Sequence, residues 1–188
     1  MDDVSARRML LKASGIDVGS ALDVGMGECA CMSFLLASRG FDVIGVDRSS
    51  HAVHAARQAA RGRRFRGSFQ ARRADAEFLP FEDGQFDLVL AYRALHQAKD
   101  VEQVVREMHR VCREGGAMLV ADLNDCGRRG LGHVPDNGRL VGRIARALGN
   151  LSAEVETVET HMNVMFTCHK LSAERTLSAA VGALRPCP

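Results

Sequence analysis

The sequence predicts an α/β protein: a doubly wound, mostly parallel sheet that ends in a C-terminal antiparallel hairpin. Three observations carry this prediction. Short apolar runs alternate with amphipathic stretches between Ala21 and Ala121, an order that gives a parallel sheet with right-handed crossovers. The first apolar run ends in two closely spaced glycines, Gly25 and Gly27. The last two apolar runs, 153–160 and 164–168, have no helical pattern between them, so they should pair antiparallel.

Each element has its own signal. Ala21 to Val24 reads as a short strand, and Met32, Leu35 and Leu36 form one face of the helix after it. Gly40 can end that helix in the left-handed conformation. Phe41 to Val46 is a second strand ending at Asp47, and Ser49 or Ser50 can cap the helix carrying Ala52, Val53 and Ala56. Phe69 to Ala74 is a weaker strand. Phe86 to Ala91 is almost continuously apolar, as expected of a strand buried on both faces. Val101, Val104, Val105, Met108, Val111 and Cys112 keep helical spacing. Gly115-Gly116 reads as a turn into the strand 117–121. A glycine-rich loop from Asn124 to Gly138 then leads to a helix around Leu140, Ile144 and Leu148.

The chain has 188 residues, +2 formal charge and 46% hydrophobic residues, which suits a single globular domain over 1–188. Residues 1–20 read as an N-terminal helical segment and 171–188 as a tail that could hold a final helix. No apolar run approaches the ~20 residues that span a bilayer, and the acidic Met1-Asp2-Asp3-Val4 lacks a signal-peptide core. The expectation is a cytoplasmic protein without a membrane partner. The arginines from Arg61 to Arg73 read as a solvated link rather than a nucleic-acid surface, because the total charge is near neutral. A homodimer is expected if the hairpin exposes an apolar face.

In an open α/β sheet, ligands bind at the carboxyl ends of the strands near the reversal of strand order. The loop Asp23-Val24-Gly25-Met26-Gly27 lets backbone approach a ligand. Asp47 follows about 20 residues later, where a carboxylate can accept two ribose hydroxyls. A third loop, Asp75-Ala76-Glu77-Phe78-Leu79-Pro80-Phe81, sets a carboxylate beside apolar side chains, which suits an adenine. Together these describe a nucleoside site. His96, just beyond the fourth strand, is the candidate general base because imidazole titrates near neutrality. Tyr92 is the candidate acceptor contact.

With Leu22-Asp23-Val24-Gly25-Met26-Gly27, Val46-Asp47, Asp75 to Phe81, Phe86-Asp87-Leu88-Val89, Ala94-Leu95-His96 and Glu107 to Val111 running on to Gly115-Gly116, the chain resembles the class I S-adenosylmethionine (SAM)-dependent methyltransferases, in the compact form similar to ubiquinone-biosynthesis methyltransferases. The resemblance covers residues 15–125 and implies a Rossmann-like, seven-stranded sheet. It implies that Asp23, Gly25 and Gly27 surround the methionine part of SAM and that Asp47 holds the ribose. Arg48 would flank the adenine, Asp75 and Ala76 would face its edge, and Ala91 and Tyr92 would lie beside the sulfonium. The implied reaction is methyl transfer to a small-molecule acceptor. Where the family often has a third glycine, this chain has Cys29.

Two other functions fit parts of the pattern. Gly25-x-Gly27-x-x-Ala30 also satisfies the dinucleotide fingerprint, so an NAD(P)-dependent oxidoreductase is one alternative. A non-catalytic SAM-binding regulatory module is the other. No metal site is expected: Cys29 and Cys31 lack the second ligand pair a zinc site needs. They read as structural or cofactor-adjacent small residues, with a redox-sensitive or arsenic-handling role as the alternative.

Overall fold

The computed structural model describes residues 3–172. The chain starts with helix α1 (Asp3–Ala13) and enters the sheet at β1 (Ser20–Val24). Helix α2 (Cys31–Arg39), strand β2 (Asp42–Asp47), helix α3 (Ser50–Ala60) and strand β3 (Ser68–Arg73) follow, and then β4 (Phe86–Tyr92), helix α4 (Val101–Val111) and β5 (Cys112–Leu123). The last elements are α5 (Asp125–Gly130), α6 (Arg139–Gly149), β6 (Ala153–Glu159) and β7 (Asn163–Lys170). The strands form one sheet in the order β3-β2-β1-β4-β5-β7-β6. β7 alone runs against its neighbours, pairing antiparallel with both β5 and β6. The suggested final helix after Lys170 falls on 173–188, outside the described residues.

Side-chain alternation divides the core between the two faces of the sheet. Leu22, Val24, Val89, Ala91, Met118 and Val120 face α4 and α6. Ala21, Leu88, Leu90, Leu119 and Ala121 face α1 and α2. The helices match their signals. Ser49, not Ser50, caps α3, its hydroxyl accepting the Ala52 N–H at 3.2 Å. Asp100 caps α4 through the Gln103 N–H. Gly40 ends α2 at φ 113°, and the N–H groups of Gly40 and Phe41 satisfy the Ala37 and Leu36 carbonyls.

Two stretches differ from their sequence reading. Gly115-Gly116 does not separate helix from strand: β5 begins at Cys112, directly after α4. The glycines lie in a bulge, where β5 advances from Cys112 to Ala117 while β4 advances only from Phe86 to Leu88. Gly115 takes φ +67° there, which a glycine adopts freely. The 124–138 connection is not plain loop either. The Asn124 side chain accepts the Gly127 N–H at 2.9 Å, an N-cap that supports the short helix α5 despite its glycines. Edge strand β6 leaves Val155 and Val158 exposed. Among the described residues no helix is long and apolar enough to cross a membrane.

Candidate functional site

Strand order reverses between β1 and β4: β1 continues through α2 toward β2 on one side, while β4 lies on the other. A cleft of about 300 Å³ opens there, at the carboxyl ends of β1, β2 and β4. Asp23, Gly25, Gly27, Asp47, Arg48, Asp75, Ala76 and Tyr92 all line it. The volume is at the lower end of the range typical for small-molecule pockets, ~300–1,000 Å³.

The loop after β1 is anchored before it reaches the cleft. The Gly25 and Met26 N–H groups both donate to the Val46 carbonyl, at 2.9 and 3.1 Å. Gly25 has φ 74°, and a Cβ there would collide with Ala94 Cβ. Gly27 has φ 64° but open space around it. Two glycines are therefore needed for different reasons, one for conformation and close packing and one for conformation alone.

Two carboxylates on this floor have opposite settings. Asp23 is 2% exposed, and its Oδ2 accepts the Ser33 hydroxyl at 2.6 Å. Burial outweighs that hydrogen bond and pushes its pKa up to about 6. Asp47 stands at the open end of β2. Its Oδ2 accepts the Gly27 N–H at 3.1 Å and its Oδ1 the Ser49 N–H at 2.9 Å. These bonds orient the carboxylate and leave lone pairs for a ligand.

The third loop is held by a buckle from α4. Arg110 donates to Glu107 and to the carbonyls of Leu79 and Phe81, and Glu107 Oε2 accepts the Leu79 N–H at 2.8 Å. The Arg110 hydrogen bonds hold the Glu107 carboxyl below its usual range. Asp75 Oδ1 accepts the Glu77 N–H at 3.0 Å, a turn that the side chain itself closes. The spacing of Glu107 and Arg110, one helical turn apart, therefore shapes the cleft wall from a distance.

Not every expected residue reaches the cleft. β4 runs one residue beyond its sequence reading, to Tyr92. Ala91 is thus inside the strand, has no exposure and packs into the core. Tyr92, Arg93 and Ala94 line the cleft in its place. The guanidinium carbons of Arg7 and Arg93 lie 5.1 and 5.2 Å from the Tyr92 ring centre. His96 does not line the nucleoside cleft. It sits in a 3-10 turn, Leu95–Gln97, with Nδ1 3.4 Å from Oδ1 of Asp122. Asp122 is 1% exposed, at the end of β5, and its Oδ2 also accepts the His96 N–H at 3.3 Å.

Arg7 and Ala94 line the cleft and Asp122 stands behind His96, none of them among the site residues expected from the sequence. Arg7 comes from α1, outside the repeating pattern, and only the packing of α1 brings it to the cleft rim. Asp122 carries no local signal, since a single acidic residue after the apolar run 117–121 does not show what will pack against it. Among the described residues no cluster of three or more His, Cys, Asp or Glu could hold a metal ion.

Comparison with known proteins gives a consistent result. Residues 22–120 match the model of a family described as "methyltransferase domain". The chain is 34% identical over 102 residues to methyltransferase GfsG of Streptomyces halstedii, covering 54% of this chain and 37% of that one. It is 28% identical over 121 residues to the ubiquinone/menaquinone biosynthesis C-methyltransferase UbiE of Cellvibrio japonicus, covering 63% and 49%. The chain thus spans about half or less of the length of these curated relatives. Its fold is similar to the crystal structure of a SAM-dependent methyltransferase from Aquifex aeolicus, with TM-score 0.72 and 17% identity over 86% of this chain and 88% of that one.

Proposed function

From a chain that belongs to the methyltransferase domain family, whose cofactor is SAM, we propose an enzyme that moves the SAM methyl group to a small-molecule acceptor, with residues 1–188 acting as one domain. The observation that carries this reading is the Asp47 carboxylate. It faces the cleft with both oxygens pre-oriented by backbone N–H groups, at the end of the strand beside the glycine loop, where a ribose diol needs two acceptors.

The residues present fit the cofactor. Gly25 and Gly27 hold a backbone path that leaves room for a methionyl chain, and Asp23 sets a buried carboxylate behind it. An ammonium group near Asp23 would favour its anionic form and offset the cost of burying it. Asp47 would take the ribose hydroxyls. Asp75 and Ala76 would meet the adenine edge, with Arg48 flanking it.

When bound, SAM supplies a methyl group already activated on a sulfonium. The chain's own work is then to align the acceptor, keep water out and take up a proton where the acceptor has one to lose. Tyr92, in contact with the guanidinium groups of Arg7 and Arg93, forms a wall for the acceptor. His96 is the proton acceptor in this reading. Asp122 is its positioning residue: it takes the Nδ1 side and leaves Nε2, 3.5 Å from the Gln97 side-chain nitrogen, as the basic atom. Parallel calorimetric titrations with SAM, S-adenosylhomocysteine and NADH test the cofactor. Binding of the two sulfur nucleosides without NADH supports the reading, and binding of NADH alone overturns it.

A further inference from the structure

We propose that Cys29 and Cys31 form a redox modification site, in which the two thiols close into a reversible disulfide that shuts the cleft to its nucleoside. The gating half of this inference rests on the SAM reading above; the disulfide itself does not.

Both cysteines line the cleft, immediately after the glycine loop. The residue between them is the key. Ala30 holds φ 43° and ψ 36°, a left-handed helical conformation that a non-glycine residue rarely adopts. A helical residue of either hand brings its two neighbours' Cα atoms to about 5.4 Å, from a radius of ~2.3 Å and a rise of ~1.5 Å per residue. A disulfide wants Cα atoms ~4.4–6.8 Å apart, most often near 5.5–6 Å. An extended residue would place them at about 6.7 Å, the outer limit of that range. The turn at Ala30 therefore brings the two Cα atoms within the range that a disulfide spans.

Access, and the presence of a neighbouring thiol, distinguish this pair from the other described cysteines. Cys29 is exposed and Cys31 partly so. Cys112 and Cys168 are buried, and burial pushes their thiols up to about 11 and about 12, which leaves them inert. Cys126 stands apart, with its sulfur 3.4 Å from Nε2 of His161. Burial pushes the Cys29 thiol up, so its thiolate, and with it oxidation of the pair, should increase as pH rises. The pair does not suit a metal, because no third ligand joins it among the described residues.

The step needs an oxidant, and a low-molecular-weight disulfide supplies it. One cysteine thiolate attacks a sulfur of oxidised glutathione, forming a mixed disulfide and releasing one glutathione thiol. The second cysteine attacks the protein sulfur of that mixed disulfide and releases the other glutathione. The protein loses two electrons and two protons, and the oxidant gains them as two thiols. The product is a ring closed over 29–31. It fixes the loop beside Gly27, where the methionyl end must enter, and access to Asp23 is lost with it.

The test uses the full chain, reduced with dithiothreitol or equilibrated with oxidised glutathione. Trypsin releases residues 13–39, which hold Cys29, Cys31 and no other cysteine. The oxidised peptide should lose two hydrogens and resist alkylation. In C29S, the same peptide should instead gain one glutathione. S-adenosylhomocysteine affinity, measured by calorimetry, should fall about tenfold or more on oxidation and return on reduction. A wild-type peptide that carries free thiols or glutathione adducts overturns the disulfide. A disulfide that leaves affinity unchanged overturns the gate. Reduced protein that does not bind the nucleoside overturns the cofactor reading and the gate with it, while the peptide mass still decides the disulfide.

Discussion

Asp47 Oδ2 accepts the backbone N–H of Gly27 at 3.1 Å, so the carboxylate at the end of β2 fixes the glycine loop after β1. One residue thus orders the loop and offers itself to the ligand. Asp47→Ala removes both roles. SAM binding should weaken by roughly 1.5–3 kcal/mol, the scale of lost charged hydrogen bonds. Asp47→Asn keeps one acceptor oxygen and should lose less. Calorimetric dissociation constants for both variants check this, and equal affinity in D47A and wild type removes Asp47 from the ribose.

Asp23 couples stability to pH. Its folded pKa, about 6, is above the ordinary 3.8, so between these values the folded state binds more protons than the unfolded state. Its contribution to stability is full below pH 3.8 and is lost as pH rises through about 6. The difference corresponds to ~3 kcal/mol at neutral pH. Asp23→Asn should therefore raise the melting temperature at pH 7.5, with the gain shrinking toward pH 4, while SAM binding weakens. In the wild type, SAM affinity should fall as pH drops through about 6. Thermal melts in which the D23N gain at pH 7.5 does not shrink toward pH 4 would contradict this.

Gly25 and Gly27 should respond differently to alanine. Both have positive φ, and only Gly25 also faces Ala94. Gly27→Ala should cost about 1 kcal/mol for the left-handed conformation, and Gly25→Ala roughly 2–4 kcal/mol, with the collision added. G25A/A94G should recover part of that loss. Urea denaturation of the three variants gives the comparison, and similar midpoints for G25A and G27A would show that the loop yields.

His96 and Asp122 should act together. With an acceptor that must lose a proton, His96→Ala should slow methyl transfer by about 10²–10⁴-fold. Asp122→Asn should slow it less and change the pH profile of kcat rather than KM. Affinity for S-adenosylhomocysteine should stay near wild type in both, because neither residue lines the nucleoside cleft. A flat pH profile in the wild type, with H96A equally active, removes the pair from proton transfer.

Much of this molecule is legible in one dimension. The period of apolar residues gives β1 to β5 and the helices between them, because a residue in a parallel sheet or on an amphipathic helix has its environment set by immediate neighbours along the chain. Gly25, Gly27, Asp47 and Asp75 are legible for a related reason: each ends a strand or opens a loop, and parallel strand order gathers all such ends at one edge. The bulge at Gly115 shows the limit of local signals, since a pairing register decided it, whereas the short helix α5 rests on a local Asn124 cap that its glycines mask.

What only the tertiary structure decided are relations between distant segments. The seating of Arg7 against Tyr92, the buried Asp122 behind His96, and the collision awaiting a Cβ at Gly25 join residues 26 to 85 positions apart or on different elements. No periodicity encodes such pairs. They exist because burial in a close-packed interior forces side chains from separate elements into contact, and such contacts hold His96 and shape the cleft, while burial itself raises the Asp23 pKa.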